Sequence, residues 1–293
     1  MDLINLIRTI ILGAIQGLTE WLPISSTGHL KIAEHFLDLK VPILFDVILH
    51  IGTLIVVLVF FRKDIKNILS ALVRLDFKTD YGKLIPLIIV GTIPTALIGL
   101  AFGEFIESTF QSLLPIATAF ILCGVVLYSA KAGKEKTENI GYLAALIIGI
   151  AQGIAIIPGI SRSGATIAVA LLLGIKREKA FKFSFLISIP AILGALGLTL
   201  YTQFNELTTV GLGWEVLAGM AVAIFVGYFA LKLLENPSQE EVSLFRALLL
   251  AARRSINSPI FKRLLTIWAC RVEILLETLQ TRCFSHKPLL FHY

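Results

Sequence analysis

The stretch 16–29, with the sequence QGLTEWLPISSTGH, interrupts an apolar segment that begins near residue 3. A second stretch, 158–166 with the sequence PGISRSGAT, interrupts another apolar segment that begins near residue 142. Proline, glycine and hydroxyl residues break helices, and the backbone groups they free are tolerated at membrane depth only inside protein or beside water. The two stretches therefore predict re-entrant helical hairpins.

Composition supports a membrane location for the whole chain. Of 293 residues, 56% are hydrophobic and 16% are charged, against roughly 25% charged in soluble domains. These values exclude a soluble enzyme, a disordered chain and a secreted disulfide scaffold. The net charge of +6 is interpreted as a topology signal, so we expect no nucleic-acid partner. The three cysteines, at 123, 270 and 283, show no metal-ligand spacing.

Five further stretches are long and apolar enough to cross a membrane, which takes roughly 20 residues. They are 41–61, 84–103, 113–130, 183–201 and 216–234. The loops 62–83, 131–136 and 176–182 carry 13 of the 26 lysine and arginine residues, and the loops between the other spans carry acidic residues instead. The positive-inside rule places the three basic loops in the cytoplasm.

The two interrupted segments align without gaps at a constant offset of 136 residues. The coincident residues are Gln16 with Gln152, Ser25 with Ser161, Gly28 with Gly164, and Phe45 with Phe181. This pattern predicts a duplication, with repeat one at about 1–130 and repeat two at about 139–234. An odd number of spans in the first repeat inverts the second, so the hairpins would meet near the bilayer midplane. The predicted fold is all-α: a polytopic membrane protein of inverted repeats, each with a re-entrant helical hairpin plus spanning helices.

The first hairpin carries a carboxylate, three hydroxyls and an imidazole within one short stretch. Gln16 and Glu20 share a helix face by their spacing, and Ser25, Ser26 and Thr27 precede His29 by a few residues. The hydroxyls could simply cap a helix, and His29 could be a satisfied polar side chain. Ionisable groups in apolar segments are expensive, however, so their presence favours a functional site.

The second hairpin places Arg162 between Ser161 and Ser163 at the predicted start of a half-helix. Backbone N–H groups at a helix start attract phosphate, and a guanidinium binds phosphate oxygens in pairs. The alternative is that Arg162 serves as the counter-ion of Glu20. Asp46 and His50 share one face of a span and are secondary candidates, because Asp46 lies near the end of that span.

Both motifs resemble those of the undecaprenyl-pyrophosphate phosphatases, the bacitracin-resistance protein family, and the resemblance covers residues 1 to about 234. It implies a hydrolase of the bacterial inner membrane that converts undecaprenyl pyrophosphate to undecaprenyl phosphate and phosphate. This reaction recycles the lipid carrier of peptidoglycan synthesis and gives bacitracin resistance. Its partners would be the polyprenyl lipid and the bilayer, and a homodimer is left open.

The resemblance also implies roles for individual residues. Glu20 matches a glutamate that handles metal or pyrophosphate, Arg162 matches a phosphate-binding arginine, and Ser26 with His29 match the proposed nucleophile and base. Either Ser26 attacks after deprotonation by His29, or His29 attacks directly. The family implies a divalent cation, Mg or Ca, with Glu20 as a ligand. The expected substrate-binding residues are Gln16, Ser25, Thr27, Gly28, Ser161, Ser163, Gly164 and Thr166.

The resemblance weakens after Leu234, where the family has one more spanning helix. The tail 235–293 contains no uncharged run of that length, and a shifted reading frame in the gene is one explanation. Two alternatives to the hydrolase therefore stay open: a transporter or lipid flippase with inverted repeats, and an inactive relic. A transporter has no need of a nucleophile and a base, so Ser26 and His29 beside Glu20 favour the hydrolase.

Overall fold

The computed structural model describes residues 3–39, 43–202 and 214–235. Within these residues the chain forms ten α-helices and no strand, so the all-α prediction is confirmed. The chain divides into two compact units, Met1–Ala230 and Leu231–Tyr293. The second unit is described only for the end of the last helix, so the predictions made for the tail lie outside the described residues.

The helices follow one another with short connections. They are α1 (Leu3–Thr19), α2 (Ser26–Phe36), α3 (Ile43–Phe60), α4 (Arg62–Val73), α5 (Asp80–Thr109), α6 (Leu113–Ser129), α7 (Tyr142–Ile154), α8 (Arg162–Leu172), α9 (Arg177–Thr202) and α10 (Trp214–Glu235). A 3₁₀ turn at Ala130–Ala132 extends α6.

Four helices, α5, α6, α9 and α10, are long and apolar enough to span a membrane. They correspond to four of the five predicted spans. At most 33% of the apolar stretch of each helix is buried inside the protein. Most of their apolar side chains therefore face outward, where only lipid can remove them from water.

The fifth predicted span, 41–61, corresponds to α3, Ile43–Phe60. It ends at Phe60, and the chain bends by 78° into α4. The sequence analysis treated the α4 region as part of a basic loop. Its apolar residues Ile65, Ile68, Leu69 and Leu72 nevertheless recur at helical spacing. An ion pair between Asp64 and Lys182 ties α4 to the start of α9.

The two interrupted segments form pairs of short helices, as the sequence predicts. The chain breaks between α1 and α2 and between α7 and α8, and the two helices of each pair pack against each other. With 17 residues in α1, 13 in α7 and 11 in α8, each helix is shorter than a full span.

Two buried apolar clusters stabilise the fold. The larger one joins α5, α7, α8 and α9 and includes Leu87, Ile148 and Phe183. The smaller one joins α1, α2, α3 and α10 around Leu12, Leu30 and Ala223. Each cluster thus holds one pair of short helices against longer helices.

The loops that follow α6 and α8 are joined on the surface. Thr137 and Ile175 form an isolated parallel bridge, and Lys176 makes an ion pair with Glu138. The hydrogen bond from Lys176 holds the pKa of Glu138 below its usual value.

Helices α5 and α7 approach each other unusually closely. A Cβ atom on Gly149 would lie 2.1 Å from the carbonyl oxygen of Gly91. Any side chain at this position therefore forces the two helix backbones apart.

Replacing Gly149 by alanine should destabilise the protein by about 1–3 kcal/mol, because overpacking at a backbone contact outweighs the better helix propensity of alanine. The measurement is the thermal unfolding midpoint of the purified protein in detergent. Gly194→Ala is the matched control, since a Cβ there meets no atom within 4 Å. An equal effect of both substitutions would contradict the predicted close packing.

Candidate active site

The loops at the two helix breaks contact each other directly. Ser25 Oγ accepts hydrogen bonds from the N–H of Gly28 (3.3 Å) and of Gly159 (3.0 Å). Ser161 Oγ accepts from the N–H of Gly164 (3.1 Å) and donates to the carbonyl of Leu22 (3.3 Å). Each serine therefore caps its own helix and also bonds the opposite loop. The capping alternative holds for Ser25, and Ser161 caps α8 in the same way.

The backbone of both loops adopts unusual conformations. Ser25 has φ 69° and ψ 100°, a region that costs a non-glycine residue on the order of 1–3 kcal/mol. Gly159 has φ 101°, and a Cβ on it would lie 2.6 Å from the carbonyl oxygen of Ile116 in α6. The hydrogen bonds of Ser25 and the packing of α6 hold the loops in these conformations.

Glu20 lies at the centre of a buried polar network. Its Oε2 accepts hydrogen bonds from Gln16 Nε2 (3.0 Å) and Ser26 Oγ (2.5 Å). Its Oε1 pairs with Arg162 Nη2. The Glu20 side chain is only 4% exposed, so the ion pair is shielded from water. The structure thus brings together four of the predicted residues, and Arg162 is the counter-ion of Glu20, as the alternative reading proposed.

Arg162 still has hydrogen-bonding capacity to spare. Among the described residues, its Nη1 atom is buried and has no hydrogen-bond partner. The side chain as a whole is 20% exposed, so part of it is open to the outside, while Nη1 itself is buried. A guanidinium in this state can bind the oxygen atoms of an anion.

His29 lies on α2, one turn after Ser25. Its Nδ1 donates to the carbonyl oxygen of Ser25 at 2.7 Å, because a carbonyl can only accept. The ring also meets Phe120 edge-on, with the centroids 5.1 Å apart. In the neutral ring the proton therefore sits on Nδ1, and Nε2 carries the lone pair that a base or nucleophile needs.

The structure directs the proton of Ser26 to Glu20. The sequence analysis expected His29 to accept this proton. The Ser26 hydroxyl instead donates to Glu20 Oε2, six residues earlier in the chain. The backbone conformation of Ser25 brings the Ser26 hydroxyl to Glu20. The spacing of these residues in the sequence could not predict this contact.

The remaining predicted binding residues contribute mainly to the packing of the loops. Ser163 Oγ donates to the carbonyl of Trp21 (3.3 Å), and Thr166 Oγ1 donates to that of Arg162 (2.8 Å). Gly28 and Gly164 lie where a Cβ would come within 3 Å of Phe120 and Pro23, respectively. Thr27 is half-buried on α2.

The sequence analysis underrated helix α3. Asp46, His50 and Thr53 follow one another at helical spacing and face the first pair of short helices. Thr53 accepts from Gln16 (3.4 Å), Asp46 pairs with Lys31 (2.9 Å), and His50 Nε2 lies 3.6 Å from Glu20 Oε2. The helical spacing of these three polar residues within an apolar segment could have indicated from the sequence that α3 contributes to the site.

The fold and site define a class: polytopic helical membrane proteins with a buried carboxylate–guanidinium pair where two broken helices meet. The sequence profile described as bacitracin resistance protein BacA matches residues 9–250. The chain belongs to this family. The match continues past Leu234, where the sequence analysis placed the end of the resemblance.

Several relatives share the name undecaprenyl-diphosphatase. The one from Carboxydothermus hydrogenoformans is 45% identical over 235 residues, which is 78% of this chain and 87% of the relative. That from Methanosphaera stadtmanae is 40% identical, over 79% of this chain and 89% of its own. The relative from Treponema denticola is 43% identical, over 78% of this chain and 88% of its own length.

Ser25→Ala should lower the free energy of unfolding by about 1–3 kcal/mol, because two buried N–H groups lose their acceptor. Chemical denaturation in mixed detergent micelles measures the change. Ser108→Ala is the control, since that hydroxyl is exposed and donates only to the carbonyl of Phe105 within its own helix. Equal stability of Ser25→Ala and the native chain would show that the cross-loop contact is unimportant.

Proposed function

We propose that the chain is an undecaprenyl-diphosphatase, which hydrolyses undecaprenyl pyrophosphate to undecaprenyl phosphate and phosphate. This activity recycles the lipid carrier for peptidoglycan synthesis and gives bacitracin resistance. Family membership supports the reaction, since the relatives named above match most of this chain. The observation that carries the proposal is the contact of Ser26 and Arg162 with the two oxygens of one buried carboxylate.

Arg162 would bind the pyrophosphate. Its unpartnered Nη1 and the N-terminal amides of α8 both favour an anion. Glu20 holds the other arm of the guanidinium. An entering pyrophosphate would compete for that arm, and Glu20 would then be free to accept a proton.

Ser26 would be the nucleophile and Glu20 its base. Ser26 Oγ forms a bond to the terminal phosphorus and passes its proton to the Glu20 carboxylate. The bond between that phosphorus and the bridging oxygen breaks, and the electron pair leaves with undecaprenyl phosphate. Water then attacks the phosphoserine and gives a proton to His29 Nε2, while Glu20 returns its proton to Ser26. Direct attack by His29 is the second route.

A divalent cation, Mg or Ca, is proposed to assist. Among the described residues no three His, Cys, Asp or Glu side chains form a ready cage. Magnesium commonly takes one or two carboxylates together with substrate phosphates, so Glu20 suits it as a ligand. Gln16 Oε1, which is buried and without a partner in the described structure, offers a further oxygen. A bound cation would neutralise charge on the leaving phosphate.

The arrangement in the membrane is also part of the proposal. The α1–α2 and α7–α8 pairs would enter a cell membrane from opposite faces, as inverted repeats require. The basic segments after α3, α6 and α8, the first of which includes α4, would face the cytoplasm. The apolar surface between the repeats would accommodate the prenyl chain.

The purified full-length chain in detergent should release phosphate from undecaprenyl pyrophosphate. Ser26→Ala and Arg162→Ala should each lower the rate by about 100-fold or more, since they remove the nucleophile and a charge-stabilising group. Thr118→Ala, an exposed hydroxyl change on α6, should leave the rate unchanged. No release from folded, monodisperse native protein would contradict the proposal and favour a transporter or an inactive relic.

A trapping experiment separates the two possible nucleophiles. With substrate labelled in the terminal phosphate, His29→Asn should accumulate acid-stable label on Ser26, because attack continues while hydrolysis of the phosphoserine is slowed. Ser26→Ala should accumulate none. Acid-labile label in Ser26→Ala, typical of phosphohistidine, would assign the attack to His29 instead.

A further inference from the structure

We propose that His50 is a ligand of the divalent cation and gives the site a preference for Mn²⁺ over Mg²⁺ and Ca²⁺. This inference rests on the proposed function, because the cation is expected only for that reaction. The geometry of three side chains carries it: Glu20, His50 and Gln16.

The gap between His50 and Glu20 has the size of a coordination site. His50 Nε2 and Glu20 Oε2 are 3.6 Å apart, which is too far for a hydrogen bond. Two bonds of about 2.1 Å to one cation hold their ligand atoms roughly 3.0–4.2 Å apart, depending on the angle. The observed separation falls inside this range. The His50 side chain is 25% exposed, so a cation can reach it.

The orientation of the His50 ring is typical of a metal ligand. Its Nδ1 donates to the carbonyl oxygen of Asp46 at 2.8 Å, so Nε2 is the nitrogen that faces Glu20. Ligating histidines usually donate their second nitrogen in this manner. Separately, the Asp46 carboxylate pairs with Lys31 of α2, at 2.9 Å.

A third donor lies beside this gap. Gln16 Nε2 contacts Glu20 Oε2 at 3.0 Å. The other end of the same amide, Oε1, is buried and lacks a hydrogen-bond partner within the described residues. A flip of the amide group would offer that oxygen to a cation on Glu20.

The second repeat shows that the fold itself does not require an imidazole here. At the repeat offset, Leu186 corresponds to His50 and Ile189 corresponds to Thr53. Leu186 is buried, with 2% exposure. The equivalent helix therefore packs with apolar side chains, and the polar face of α3 belongs to the site.

An imidazole ligand changes which cation the site prefers. Mg²⁺ and Ca²⁺ are hard ions that take oxygen ligands almost exclusively, whereas affinity for mixed nitrogen and oxygen sites increases along the first-row transition ions. Mn²⁺ accepts both ligand types. A site of one carboxylate, one amide oxygen and one imidazole should therefore hold Mn²⁺ more tightly than Mg²⁺ or Ca²⁺.

The test is electron paramagnetic resonance of Mn²⁺ added to the full-length chain in detergent. Native protein should bind Mn²⁺ and show nitrogen modulation of the electron spin echo, and [¹⁵N]histidine labelling should change that modulation. His50→Gln should abolish the modulation and weaken Mn²⁺ binding about tenfold or more. His35→Gln, at an exposed position on α2, and His29→Gln should retain the modulation.

Three outcomes would overturn the assignment: no Mn²⁺ binding by native protein, modulation insensitive to histidine labelling, or modulation that survives in His50→Gln. The labelling experiment uses native protein, so a signal insensitive to labelling overturns the assignment even if His50→Gln fails to fold. Failure of the proposed function is recognised separately, by absence of phosphate release with Mg²⁺. The spin-echo signal reports Mn²⁺ binding and does not require the protein to hydrolyse substrate.

Discussion

The buried ion pair between Glu20 and Arg162 is the constraint on which the rest of the structure depends. Removing one partner of such a pair typically costs about 3–5 kcal/mol, because the remaining charge stays out of water. The two charges come from opposite halves of the chain. The helix breaks, the strained backbone at Ser25 and the close packing of α6 against Gly159 all keep these two side chains together.

The same pair links the stability of the site to its proposed chemistry. Glu20 pairs with Arg162, and Gln16 and Ser26 donate hydrogen bonds to Glu20. In the proposed reaction the pyrophosphate would take the place of the carboxylate at Arg162, so the guanidinium would stay paired. That exchange also changes the role of Glu20, since a carboxylate released from a guanidinium becomes a better proton acceptor.

Much of this arrangement could be predicted from the sequence, because it depends on residue type and spacing. Proline and glycine within apolar segments indicated the helix breaks, and the spacing of Gln16 and Glu20 predicted their shared face. The direction that the backbone takes within a helix break could not be predicted from residue type and spacing. The positive φ of Ser25 turns Ser26 toward Glu20, and neither residue's identity indicates that turn.

Two errors of the sequence analysis, on the α4 region and on Asp46 and His50, share one physical origin, which is tertiary structure. The sequence analysis assigned residues 62–73 to a loop because they carry several charges. The apolar residues among them nevertheless recur at helical spacing. Asp46 and His50 were underrated because Asp46 lies near the end of its helix. The bend after Phe60 and the Lys31–Asp46 pair orient that helix, and both are tertiary features.

The separation of the two charges along the chain has a consequence for synthesis. Glu20 and Arg162 are 142 residues apart, so the carboxylate leaves the ribosome long before its partner exists. During that interval the contacts available to Glu20 come from its own half: the Gln16 amide, the Ser26 hydroxyl and the His50 imidazole. A carboxylate without its guanidinium is costly to bury, so we expect the first pair of short helices to stay in contact with water or an insertion machinery until the second half arrives.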